Sequence, residues 1–444
     1  MKKLFLQIIY SLNHAMCKRN VIKMITKADK TNVYACEYGD TLNSIMQQQE
    51  KYLPELKYFL DTEYSWASSK SRSSQRPGIV ILGTEIPEEL VMAAGSEPYW
   101  LIGGSLGSVA WSDDIVPRDT DPVSRSILGY IHQPDGADFS DSLFIVPINS
   151  DSMRKIAYQL KDEGRKLCLV DVPPDRSDSR AEEKWQRQML DMTDTISAYT
   201  KKRITKESVM SAALRVSKAR CALSTFLNVS RERSDIISDA SRLLVQDSYY
   251  RTNNIDQWTY HVQLLTANVT DMASRYVNIG KNSPGIIIMG SPVVFPNYKI
   301  PFLVNDVGLA LLDAIDCSVL KHELLHDRSR LNGSCEAMIR NIASAWYEKD
   351  ASSAFVRNNA LFDYISYLVR KRDIEGVVYH VLKGQIEYDF ELERFETLFS
   401  KYNIPVFRLE TDYQYQDVEQ LRIRLEAFSE MLAQNRYKEV RKAK

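Results

Sequence analysis

At 444 residues the chain is long enough for two or three domains, each with a core of its own. Its 57 Lys and Arg nearly balance 58 Asp and Glu, giving a formal net charge of -1, and no long basic run offers a footing for nucleic acid. With 44% hydrophobic and 26% charged residues the composition is that of a globular protein, and no stretch reaches the ~20 apolar residues of a membrane span.

At the N-terminus, Lys2-Lys3 and LFLQIIYSL have the outline of a signal peptide, but Gln7 interrupts the run and Asn13-His14 closes it early. The reading preferred here is a frayed cytosolic helix, or a start at Met16 or Met24. The cysteines Cys17, Cys36, Cys168, Cys221, Cys317 and Cys335 contain no C-x-x-C, which suits a reducing, cytoplasmic setting. Residues 1–76 form a peripheral helical region closed by a Ser-rich linker, since Leu53, Leu56, Phe59 and Leu60 recur at helical spacing.

Residues 77–180 read as a first α/β domain. An apolar run from Ile79 to Leu82 stops at Gly83-Thr84, and Pro87 opens a helix with Glu88 and Glu89 in its first turn, where the dipole favours acids. Pro98 to Ile102 is a second strand, ending in Gly103-Gly104-Ser105. The turn Pro117-Arg118-Asp119-Thr120-Asp121-Pro122 follows. Ser142 to Pro147 and Lys166 to Val172 are the later strands, with a helix over Met153 to Leu160 between them. Residues 181–280 are a helical segment: Trp185, Met189, Met192 and Ile196 form a stripe that reads as core, and Thr205 caps the next helix. Residues 281–444 are a second α/β domain. It opens on a strand ending Gly290-Ser291, Ala310 to Cys317 is helix or strand, and Glu375 to Lys383 and Ile404 to Leu409 are later strands. Strands alternating with helices predict two parallel-sheet, Rossmann-like domains joined by helices, with a ligand cleft between them.

The ordered segments GTEIPEELVMAAG, GGS, DTDP with SILGY, DSLFIVPINSDSMRK, EGVVYHVLKGQ, IPVFRLETDY and RIRLEAFSEML resemble the 2-hydroxyacyl-CoA dehydratase and benzoyl-CoA reductase subunit family over roughly residues 77–433. The resemblance implies an acyl-CoA substrate held between the domains and a homologous partner subunit in a heterodimer. It also implies an ATP-dependent activator that passes an electron to a [4Fe-4S] cluster held by three thiolates. Carried over, those thiolates fall at Asp121, Ser150 and Gln385, none of which is cysteine. Cluster iron favours soft sulfur over a carboxylate, a hydroxyl and an amide. The expectation is therefore a subunit without a cluster of its own, working beside a cluster-bearing partner.

Two other chemistries compete. Glu85 on its turn, with Ser150, could do acid–base work in the cleft alongside Asp119 and Asp121, making the chain a different enzyme on the same scaffold. His322-Glu323-Leu324-Leu325-His326 matches H-E-x-x-H, where His322 and His326 could share zinc in a hydrolase, though an exposed polar helix explains the same residues. For substrate phosphates, Gly103, Gly104, Ser105, Gly290 and Ser291 offer backbone N–H groups and Arg118 offers charge, with a local Arg–Asp pair as the plainer role for Arg118.

Overall fold

The computed structural model describes residues 33–67, 76–134, 136–276, 283–316 and 331–442. Two four-stranded, all-parallel sheets form its frame. Ile79–Leu82 (β1), Pro98–Leu101 (β2), Leu143–Ile148 (β3) and Lys166–Asp171 (β4) build the first, in the order β2-β1-β3-β4. Gly285–Gly290 (β5), Ala310–Ile315 (β6), Gly376–Leu382 (β7) and Val406–Thr411 (β8) build the second, in the order β6-β5-β7-β8. The second order repeats the first strand for strand. The ambiguous segment at Ala310 is thus a strand, pairing with β5 from Gly285↔Ala310 through a bulge at Ile286/Ile287.

The inner strands β1, β3, β5 and β7 are nearly continuous buried apolar runs because both faces of each sheet are covered there. The edge strands β4 and β8 keep exposed and charged residues. On β5, Ile286 and Ile288 join the large core that runs through the first sheet and the helical segment. Ile287 and Met289, on the opposite pleat, join a second core with Val377, Tyr379 and Phe395. The helical segment comprises Ala181–Thr200, Lys206–Arg231, Asp239–Asp247 and Ile255–Arg275. Its stripe of Trp185, Met189, Met192 and Ile196 is buried, and Thr205 accepts from the Ser208 N–H in a capping box.

Glu88 and Glu89 do more than favour a helix start. Both are buried, and Arg220 of the helical segment reaches them at 2.6 Å and 3.5 Å. The Tyr249 hydroxyl donates to Glu88 and the Trp346 indole N–H to Glu89 at 3.2 Å. Burial pushes the Glu89 carboxyl up to about 7, while Arg220 pulls it down. In the equivalent helix after β5, Lys299–Asp306, the first residue is a buried lysine. Lys299 Nζ donates to Thr411 Oγ1, to the carbonyls of Asp412 and Gln414, and to Asp417. No helix among the described residues is long and apolar enough to cross a membrane. The segment from His322 to His326, and Cys317, lie outside the described residues.

Candidate functional site at the facing sheet ends

In each sheet the strand order reverses between two neighbours, β1 and β3 in one, β5 and β7 in the other. Chain leaving the carboxyl ends at such a reversal diverges and leaves a crevice. Here the two crevices meet in one cavity of about 100 Å³. The residues after β1 (Gly83, Thr84, Glu85), after β3 (Asn149, Ser150) and after β7 (Gln385, Glu387) line it, together with Asp121.

Asp121 precedes Pro122–His132 and caps that helix, its Oδ1 accepting from the Ser124 N–H at 2.9 Å. Ser150 caps Asp151–Asp162 in the same way, with the Met153 N–H at 3.2 Å. Asp and Ser are among the strongest N-cap residues, so both side chains are committed to their own helices. Gln385 comes from the other sheet, and its amide donates to Asp121 Oδ1 at 3.3 Å. The turn before it is close-packed: Gly384 has φ +88°, and a Cβ there would lie 3.0 Å from the Asp119 carbonyl and the Asp121 nitrogen. The three positions to which the resemblance assigns thiolates therefore meet at one cavity.

Glu85 is buried beside them. Its two oxygens accept from the Thr84 N–H at 2.8 Å and the Asn149 amide at 3.1 Å. Further carboxyl groups that no motif singled out also line the wall, among them Asp247, Glu387 and Asp316. Asp247 ends a helix of the helical segment and accepts from the Phe295 N–H at 2.9 Å and the Tyr298 hydroxyl at 2.7 Å. Burial pushes its pKa up to about 7 against the pull of those bonds. Burial also raises Glu387, and Asp121 and Asp151 raise it further. The chain distance from Asp121 to Asp247 hides their meeting from any local pattern. Asn149, beside Ser150, is visible only once Glu85 is known to face it.

The proposed phosphate contacts lie elsewhere. The Gly104 N–H is taken by the Tyr413 hydroxyl at 3.1 Å and the Ser105 N–H by Ser126 at 3.1 Å. The neighbouring donors, Ser105 Oγ and the Leu106 and Gly107 N–H groups, hold the chain's own Glu37 at 2.7 Å, 2.8 Å and 3.0 Å. A Cβ on Gly104 would sit 2.4 Å from the Phe295 carbonyl, so the Gly103-Gly104-Ser105 loop is shaped by packing. At the second pair, the Ser291 N–H donates to the His380 carbonyl at 2.8 Å, and a Cβ on Gly290 would meet that carbonyl at 2.3 Å. Arg118 is exposed and pairs at 3.5 Å with Asp113, which precedes the turn, and not with Asp119 or Asp121 within it. Glu85, Asp121, Ser150 and Gln385 are brought together, and the glycine pairs and Arg118 are not among them.

The donor set at the cavity does not fit a [4Fe-4S] cluster. Among the described residues no cysteine lines it, and two of the three oxygen and amide groups at the relevant positions serve as helix caps. Among the described residues no group of three or more His, Cys, Asp or Glu converges as a metal site. Cys168 is a buried strand residue whose thiol is pushed up to about 11 by burial.

The family model described as 2-hydroxyglutaryl-CoA dehydratase, D-component, matches residues 84–432. The putative dehydratase subunit YjiM of Escherichia coli (strain K12) is 24% identical over 364 residues, which cover 80% of this chain and 92% of that protein. The (R)-phenyllactyl-CoA dehydratase beta subunit of Clostridium sporogenes is 19% identical over 389 residues, covering 87% of this chain and all of that subunit.

Proposed function

We propose that this chain, which belongs to the 2-hydroxyglutaryl-CoA dehydratase D-component family, is a dehydratase subunit without a cluster of its own. In this reading it binds an acyl-CoA or similar acyl compound between its two sheets and pairs with a homologous, cluster-bearing subunit, and an ATP-dependent activator delivers its electron to the partner. The removal of water from a 2-hydroxyacyl group then draws its redox chemistry from across the interface. One observation carries the reading: Asp121, Ser150 and Gln385 meet at one cavity, with two of them capping helices and the third joined to Asp121. A hard, oxygen-rich wall is a poor home for cluster iron. The cytoplasm, with its reduced thiols, is the compartment this reading requires.

The test is anaerobic purification of the chain alone and coexpressed with a three-cysteine homologue. The expected result is iron and sulfide only in the copurified pair. Stoichiometric iron and sulfide in the chain alone would overturn the proposal.

A second reading has an observation of its own. Asp247 titrates near neutrality at the cavity wall, the range in which a carboxyl group can both take and give a proton. Under that reading Glu85 and Asp247 carry acid–base chemistry within this chain, and Asp247→Asn removes an activity that the chain shows without any partner. An activity unchanged by that substitution would dismiss it.

A further inference from the structure

We infer that the homologous partner subunit docks on an apolar patch beside the cavity, formed by Val356, Ile386 and Phe390. The inference deepens the reading of a partnered subunit and rests on it.

Large apolar side chains standing singly in water are ordinary, whereas a contiguous group of them marks an interaction surface. Phe390 is 81% exposed, Val356 73% and Ile386 67%, the three highest values among the large hydrophobic residues described. They are not scattered. Val356 and Phe390 line one groove of about 330 Å³. Ile386 lies four residues before Phe390, at the start of the helix Glu387–Ser400, so the two share a helix face. The loop that displays Val356 is tied down as well. The Val356 N–H donates to the Pro174 carbonyl at 3.0 Å. Two residues on, the buried Asn358 amide donates to the carbonyls of Ala351 and Ser352 at 2.8 Å and 3.2 Å. The apolar groups are thus held in place before any partner arrives, which lowers the ordering cost of docking.

Two observations name the occupant. The first is position. Ile386 stands between Gln385 and Glu387, and Val356 follows Ser353 by three residues, and Ser353, Gln385 and Glu387 all line the cavity. A subunit that supplies redox chemistry to this cavity has to seat at its rim, where the patch lies. The second is charge. Arg357 and Arg394 line the groove with the apolar pair, and both are exposed. Burial pushes the carboxyl of Glu391, which also lines the groove, up to about 7, so it opposes them only in part. An apolar centre with a basic rim fits a partner that presents a large apolar side chain flanked by carboxylates. A second copy seated patch to patch would bring the same arginines to the same rim.

The test is copurification of the tagged full chain with the coexpressed three-cysteine homologue, for Phe390→Asp, Val356→Asp and the control Ile423→Asp. Ile423 is 65% exposed on the last helix, Val418–Lys442, and lines neither the cavity nor the groove. The expected result is pairing weakened about tenfold or more by the first two substitutions and unchanged by the third. Pairing that survives both patch substitutions, or that all three weaken equally, would overturn the inference and leave the partnered reading standing. Failure of the unaltered chain to pair with the homologue defeats both. Should the Asp variants fail to fold, maleimide labelling of Phe390→Cys, located by mass spectrometry, still decides. Labelling should be fast in the chain alone and slow in the pair. Equal rates in the two overturn the inference. Slow labelling of the chain alone also overturns it, and the mass of that species in solution says whether a second copy or the chain's own residues cover the patch.

Discussion

The two sheets share a strand order but treat equivalent positions with opposite chemistry. After β1 the helix starts with buried Glu88 and Glu89, matched to a single arginine from the helical segment. After β5 it starts with buried Lys299, matched mainly by oxygens of the loop that follows β8. The acids suit the positive end of a helix and the lysine does not, so Lys299 depends on its local acceptors for compensation. After β3 comes Ser150, which closes its own helix. After β7 comes Gln385, one residue before Ile386, and the helix there has no side-chain cap. Freed from capping, the Gln385 side chain reaches the opposite sheet. A repeated topology thus fixes where groups sit, while the identity of each residue decides whether it serves its own helix or the cavity.

The largest expected break in this comparison is Arg220→Met. It strands Glu88 and Glu89 without their cation and should cost about 3–5 kcal/mol of stability in urea unfolding. Lys299→Met should cost less, about 2 kcal/mol, because the carboxyl of Asp417 is a quarter exposed and can hydrate when the lysine is gone. Equal losses at the two sites would contradict the asymmetry between the sheets.

A smaller difference is expected at the strand ends. Ser150→Ala removes a helix cap and should lower stability by about 1 kcal/mol. Gln385→Ala, which removes no cap, should shift the urea midpoint by less than half as much. A larger loss at Gln385 would show that its bond to Asp121, and not helix capping, holds this region together.

The pH dependence sharpens the comparison last, because Asp247 lies between the sheets and belongs to neither. Its folded pKa of about 7 stands above its ordinary value of 3.8, so the folded state holds the proton more tightly than the unfolded chain. The stability carried by the protonated group is complete below that ordinary value and is lost as the pH rises through 7. Asp247→Asn should therefore flatten the decline in urea stability between pH 5 and pH 8, by the roughly one proton that a single carboxyl contributes. An unchanged slope would place that titration elsewhere, with Glu89 or Glu63, which burial raises to about 7 and about 8.

By itself the sequence determined most of the strands and helices and their alternation, because these follow from local periodicity. It left open whether the segment from Ala310 is strand or helix, which pairing with β5 decided. Ile79 to Leu82 and Gly376 to Leu382 are apolar runs bounded by turn residues, and the Trp185 stripe keeps a helical repeat. The ordered motifs carried the family as well, and they pointed to Asp121, Ser150 and Gln385 as related positions. Only the tertiary structure decided what those positions do. The caps at Asp121 and Ser150 are local bonds three residues long, but that Gln385 reaches Asp121 from the other sheet depends on a close approach at Gly384, and no spacing along the chain encodes it. The same holds for Asp247, whose proton affinity is set by burial, and for the Gly104 and Ser291 N–H groups, which are already bonded within the chain. Hydrogen bonding and desolvation act between residues brought together in space. The backbone pattern was therefore legible from the sequence, and the chemistry of the cavity became legible only after folding.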